Sequence, residues 1–163
     1  MSFAPLFDAP AIVQVHILSA IVALGLGPLA LLRRRRDLWH RRAGYGYVVA
    51  MLVLAISGLF IPANVLRLVG PFGPIHLLSL YLIWGVVHGV LHARRGEIEA
   101  HRETMRAIWF QAFLLAGAFT LLPGRRMNRA LFGEAEMLGV WVIGAMFVAW
   151  FIWRTNQRRR VVE

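Results

Sequence analysis

Cysteine and lysine are both missing from this chain of 163 residues. Acids are scarce too: 8 Asp and Glu stand against 18 basic residues, every one of them arginine. Without Cys there is no structural disulfide, thiolate zinc site, iron–sulfur cluster or covalently attached haem, since each needs a thiol. Any metal or haem must then be held by His, Met or oxygen ligands. A Gly-rich phosphate loop, a Ser/His/Asp arrangement and paired carboxylates are also lacking, which removes the commonest signs of a hydrolase or a nucleotide-binding enzyme.

What is present is apolar. The hydrophobic fraction is 59%, the charged fraction 16% and the mean hydropathy +0.63. Soluble domains run at about 45–50% apolar and about 25% charged. Both departures speak against a water-soluble enzyme, a disordered tail or a secreted scaffold. A net charge of +10 would suggest nucleic acid in a soluble protein. Here the arginines fall between long apolar runs, where they orient a chain in a bilayer. The expected partner is lipid, not nucleic acid.

A membrane crossing takes about 20 apolar residues. Five runs approach that length: 9–32, 44–66, 74–93, 107–123 and 137–153. None of them contains Asp, Glu or Arg. Residues 1–32 hold no basic residue, so the first run lacks the positive start of a signal peptide and is read as a retained helix. Arginine counts set the orientation. Six lie between runs one and two (Arg33, Arg34, Arg35, Arg36, Arg41, Arg42), four between three and four (Arg94, Arg95, Arg102, Arg106), and four in the tail (Arg154, Arg158, Arg159, Arg160). The opposite side has only Arg67, Arg125, Arg126 and Arg129. The positive-inside rule predicts a bacterial inner-membrane protein with a periplasmic N-terminus and a cytoplasmic C-terminus. Pro74 suits a first helical position after the turn at Gly70-Pro71-Phe72-Gly73, Pro62 marks the end of run two, and Pro28 is expected to bend run one.

The chain also repeats itself. His16-Ile17-Leu18-Ser19 in run one matches His76-Leu77-Leu78-Ser79 in run three. Downstream, His40-Arg41 matches His101-Arg102, at distances of 24 and 25 residues from the first histidine of each copy. Same-orientation repeats are related by an axis along the membrane normal. The expected fold is therefore a single all-α membrane domain over 1–163, with five transmembrane helices. The first four form a pseudo-two-fold bundle of duplicated hairpins, 9–66 and 74–123, and 137–153 is an added fifth helix.

The ionisable side chains at depth are histidines, and such residues in a membrane are candidate functional sites. At 1.5 Å per residue, His16 and His76 lie roughly 26 Å from their inner arginines, near the outer surface. His40 and His101 open the second helix of each hairpin at the inner surface. Two-fold packing would pair His16 with His76 and His40 with His101, each pair able to hold a b-type haem. His88 and His92, at i and i+4, share a helix face and form a weaker candidate metal site with His40 or His101. Gly85-x-x-x-Gly89 fits close helix packing.

These motifs together carry a resemblance: His16, His40-Arg41-x-x-Gly44, Gly73-Pro74-Ile75-His76-Leu77-Leu78-Ser79, Ala93-Arg94-Arg95-Gly96, His101-Arg102-x-x-Met105 and Leu122-Pro123-Gly124-Arg125. Over residues 12–133 the chain resembles the bacterial family of predicted membrane proteins known as DUF2306. That resemblance implies a fold and a set of histidines, and no reaction. In architecture alone the layout is similar to two-haem transmembrane cytochromes b. Two functions are expected from different classes. One is a small redox protein holding haem b or a metal through His16, His76, His40 and His101 for electron transfer across the membrane. The other is a non-catalytic accessory or assembly subunit of a respiratory or photosynthetic complex, docking a partner or a second copy through 137–153 while its histidines serve packing. A transporter fits less well, because the runs lack charge to coordinate an ion.

Overall fold

A computed structural model describes residues 4–33, 35–63 and 67–162, with side chains described for 6–33, 35–63 and 67–152. Among the described residues the regular structure is helical: α1 (Ala4–Phe7), α2 (Ala11–Leu31), α3 (Leu38–Leu59), α4 (Pro74–Arg94), α5 (Ile98–Gln111), a π-helical turn (Ala112–Ala116), α6 (Gly117–Thr120), α7 (Arg126–Phe132) and α8 (Leu138–Val162). The chain packs as two units. One runs from Ala9 to Phe113, and the other combines the residues up to Asp8 with those from Leu114 onward.

In the first unit α2 packs against α3, α3 against α4, α4 against α5, and α5 returns to α2, which closes a four-helix ring. Each helix turns one narrow stripe inward: Ser19, Ala23, Gly27 and Ala30 on α2; Tyr47, Ala50, Met51, Leu54, Ala55 and Ser57 on α3; His76, Ser79, Leu82, Gly85, Val86 and Gly89 on α4; Met105 and Ile108 on α5. The remaining faces are apolar and open, with Leu18 at 64%, Ile21 at 62% and Leu77 at 61% exposure. Only 17% of the most apolar stretch of α2, and 33% of those of α3 and α4, is covered by protein. Helices apolar all round and covered this thinly need hydrocarbon for a solvent.

The helix ends have local causes. Asp37 caps α3 by accepting the His40 N–H at 3.0 Å. Pro74 opens α4 as expected. α3 stops at Leu59, three residues before Pro62. α2 runs on through Pro28 to Leu31. Between α4 and α5, Gly96 has φ +77°, a left-handed value that suits glycine. The Glu97 N–H reaches the His92 carbonyl at 2.9 Å and the Gly96 N–H reaches that of Ala93 at 3.2 Å, the paired bonds of a Schellman stop.

Two expected spans differ from the observed helices. The fourth was placed at 107–123, yet its helix begins at Ile98 and passes through the π turn to Thr120. The polar start from Ile98 to Arg106 belongs to the same helix as the apolar part that follows, in which Met105 and Ile108 keep helical spacing and bury on α4. The fifth was placed at 137–153, whereas α8 continues to Val162. Among the described residues three helices, α2, α3 and α4, are long and apolar enough to cross a membrane, and Leu138–Ile152 forms a shorter apolar helix.

The second unit is held by Asn128, which is fully buried in α7. Its side-chain N–H groups donate to the carbonyls of Leu121 at 2.5 Å and Glu136 at 2.9 Å. The Glu136 carboxylate accepts from the Gly124 N–H at 2.6 Å and from Arg129 at 3.2 Å. α7 lies between the fourth and fifth apolar runs and is too short and too basic to show as an apolar run of its own.

Candidate functional site: a set of histidine ties at the two ends of the bundle

At the end where α2 begins and α3 finishes, polar groups from three helices meet around Gly58. The His16 ring Nδ1 lies 3.1 Å from the Ser57 hydroxyl. That hydroxyl donates back along its own helix to the Val53 carbonyl at 2.6 Å, with Leu54 at 3.0 Å. It therefore accepts from His16, which places the proton on Nδ1 and leaves a lone pair on Nε2. A Cβ on Gly58 would stand 2.9 Å from Ser79 Oγ and 3.2 Å from His16 Cε1. The missing side chain is what lets α2 and α4 both reach the end of α3.

His76 is the buried member, at 4% exposure. Its Nδ1 accepts the Gly73 N–H at 3.0 Å, closing the first turn of α4 on itself. Its Nε2 lies 3.1 Å from the Ile61 carbonyl. A carbonyl only accepts, so Nε2 carries the proton. Both ring nitrogens are thereby used on backbone, one on the α4 cap and one on the chain leaving α3. The Phe72 ring stands edge-on to the imidazole with centroids 4.9 Å apart. The two outer histidines thus converge on the same end of α3, four residues apart at Ser57 and Ile61.

The inner pair behaves alike in the two hairpins. His40, at the start of α3, donates from Nδ1 to the Ala30 carbonyl at the end of α2, 3.1 Å away. His101, at the start of α5, donates from Nδ1 to the Gly89 carbonyl near the end of α4, 2.8 Å away. Ala30 lies in the last turn of α2, where carbonyls lack a helical partner, so His40 supplies one. In both cases Nε2 keeps its lone pair.

His88 and His92 lie on α4 in a row of rings. Tyr81 stacks with Trp84 at 6.2 Å, Trp84 with His88 at 4.5 Å, and His88 with His92 at 6.5 Å between centroids. His92 Nδ1 pairs with the Glu97 carboxylate, and the Tyr81 hydroxyl donates to Gln111 at 2.5 Å. Among the described residues no group of three or more His, Asp or Glu side chains is placed to hold a metal ion. Gly85 and Gly89 are packing positions as expected, since a Cβ there would meet Ile108 at 2.4 Å and Met105 at 2.6 Å.

Beside the inner ties, Arg33 Nε donates to the Asp37 carboxylate at 2.8 and 3.1 Å, and Nη2 pairs with the same group. With the His40 N–H added, the Asp37 carboxyl is held well below the usual carboxylate range, chiefly by Arg33. The sequence reading singled out the four histidines that tie helices together. Of the groups they tie to, Ser57 is legible as a polar residue within an apolar run, whereas backbone carbonyls and Gly58 leave no residue-type signal. Asp37 is of a helix-capping residue type, but Leu38-Trp39-His40-Arg41-Arg42 follows it and the apolar run opens only at Gly44, so its surroundings do not mark the cap.

The helices α2, α3 and α4, apolar on every face, thinly covered by protein and charged only near their ends, define an integral membrane protein of all-α class. The chain belongs to the DUF2306 family, described as predicted membrane proteins, which it matches over residues 13–153. No curated protein and no solved structure matches it, so the architectural likeness to cytochromes b finds no support there.

Proposed function

We propose that this protein is a non-catalytic accessory subunit of a larger membrane complex, with His16, His40, His76 and His101 acting as ties between helices. The observation that carries this reading is His76: buried, with both ring nitrogens spent on the Gly73 N–H and the Ile61 carbonyl. A ligand to iron or zinc needs a free lone pair, and His76 offers one only by giving up the cap of α4. The docking element is α8, where Trp141 is 76% and Phe151 62% exposed. Purification in mild detergent tests it. Co-migration with a larger complex and no Soret band are expected; a cofactor-free monomer migrating alone would overturn it.

A second reading rests on a different observation. Nδ1–H donated to a carbonyl, with Nε2 left free, is the usual state of a ligating histidine. His40 and His101 both have it. A haem b or metal held at the inner surface would use these two, and its absorption band would vanish in His40→Ala and His101→Ala. A spectrum without such a band, with no bound metal found by assay of the same sample, removes this reading.

The topology that accompanies either reading is five crossings of a bacterial inner membrane. The helix from Ile98 to Thr120 is the fourth crossing and α8 the fifth, with the arginine-rich connections in the cytoplasm. Duplication of the hairpin is supported by the matched bonds of His40 to Ala30 and His101 to Gly89.

A further inference from the structure

We propose that the cleft between the end of α2 and the start of α5 binds the phosphate of an anionic phospholipid. The cleft has a volume of about 560 Å³ and is lined by Leu31, Leu32, Arg102 and Arg106. That size lies within the range of about 300–1,000 Å³ typical of small-molecule sites. All four residues belong to the four-helix unit.

Its two walls differ in chemistry. Arg102 and Arg106 stand one turn apart on α5, so their guanidinium groups share a face. Each is a planar fork suited to paired bonds with phosphate oxygens. Arg102 touches Glu99 only at 3.5 Å, with both side chains well exposed. Such a pair contributes little and gives way easily to a doubly bonded phosphate. No carboxylate partner of Arg106 is found among the described residues. This differs from Arg33, which Asp37 already engages.

The opposite wall is apolar, and Leu32 is 81% exposed. A soluble phosphate gains nothing from it. A phospholipid does, because its headgroup phosphate meets the arginines while the start of its acyl chains lies on the leucines. The depth agrees: Leu31 and Leu32 end an apolar run immediately before Arg33, at the level where hydrocarbon gives way to headgroups.

The full chain, purified in detergent and titrated by native mass spectrometry, tests this. Phosphatidylglycerol is expected to bind about tenfold more tightly than phosphatidylcholine with the same chains, a difference of about 1.4 kcal/mol. R102Q/R106Q should lose that preference, and R35Q/R36Q, which removes the same charge from the neighbouring connection, should keep it. R102K/R106K retains charge without the forked geometry and should weaken the preference severalfold; it decides the matter if the glutamine variant fails to fold in a thermal melt. A preference unchanged in the Arg102 and Arg106 variants, or lost equally in R35Q/R36Q, overturns the proposal. So does displacement of the lipid by an equal concentration of inorganic phosphate.

Discussion

At the scale of single residues, the histidines set off by the sequence are hydrogen-bonding devices, and their worth is measurable. His76→Ala leaves the Gly73 N–H and the Ile61 carbonyl without their partner. Each orphaned group costs about 1–3 kcal/mol where water is scarce. The unfolding midpoint in detergent should fall accordingly, and an unchanged midpoint would show that the ring is not tying the α3 exit to α4. Gly58→Ala drives a methyl against Ser79 and His16, with an expected loss of about 1–3 kcal/mol. Asp37 adds a pH dependence. Its carboxyl is depressed in the folded chain by Arg33 and the His40 N–H, so its contribution is present above the ordinary carboxylate value of about 4 and is lost as pH falls below it. Asp37→Asn keeps a competent cap and loses the charge. Its melting temperature should therefore decline less than that of the parent between about pH 4 and pH 2; parallel curves would count against the Arg33–Asp37 pair.

At the scale of elements, α4 and α5 approach closely because Gly85 and Gly89 offer no side chain to Ile108 and Met105. The two glycines are not equivalent. Ile108 is β-branched and stiff, whereas the methionine at 105 meets Gly89 with the end of a flexible thioether. Gly85→Ala should therefore destabilise the hairpin more than Gly89→Ala, by about 1 kcal/mol or more in thermal unfolding. An equal loss would mean that backbone separation, not side-chain fit, governs the contact. The same packing explains why the α5 helix starts at Ile98, earlier than its apolar run. Met105 and Ile108 need a helix to reach the glycines, and the polar turns before them follow. The spacing of Gly85 and Gly89 was visible in the sequence, but which side chains would fill them was not, since the rotation of the partner helix about its axis is set by packing.

At the scale of the whole molecule, the proposed topology rests on the arginines, and the lack of cysteine makes it easy to test. Single cysteines at Arg35 and Glu99 should react only with reagents reaching the cytoplasm, and one at Val69 only with reagents from outside. Labelling of Val69→Cys and Arg35→Cys from the same side would overturn the proposed five crossings, and labelling with the two sides exchanged would overturn the proposed orientation. The substitutions lie in connections or an exposed first turn, so they test orientation without loosening the bundle.

What the sequence determined by itself is solvent and charge placement: apolar runs long enough for a bilayer, arginines in the gaps, and a helix start at Pro74 and a stop ahead of Pro62. Those are properties of residue type and local backbone, legible one position at a time. Which nitrogen of each histidine is spent, and on what, was decided only by tertiary structure. Its partners are the carbonyls of Ala30, Ile61 and Gly89, and every residue has a carbonyl, so nothing in the letters marks these three. The α7 segment shows the same limit. Asn128 reads as an ordinary loop residue until the carbonyls of Leu121 and Glu136 come within reach of its amide.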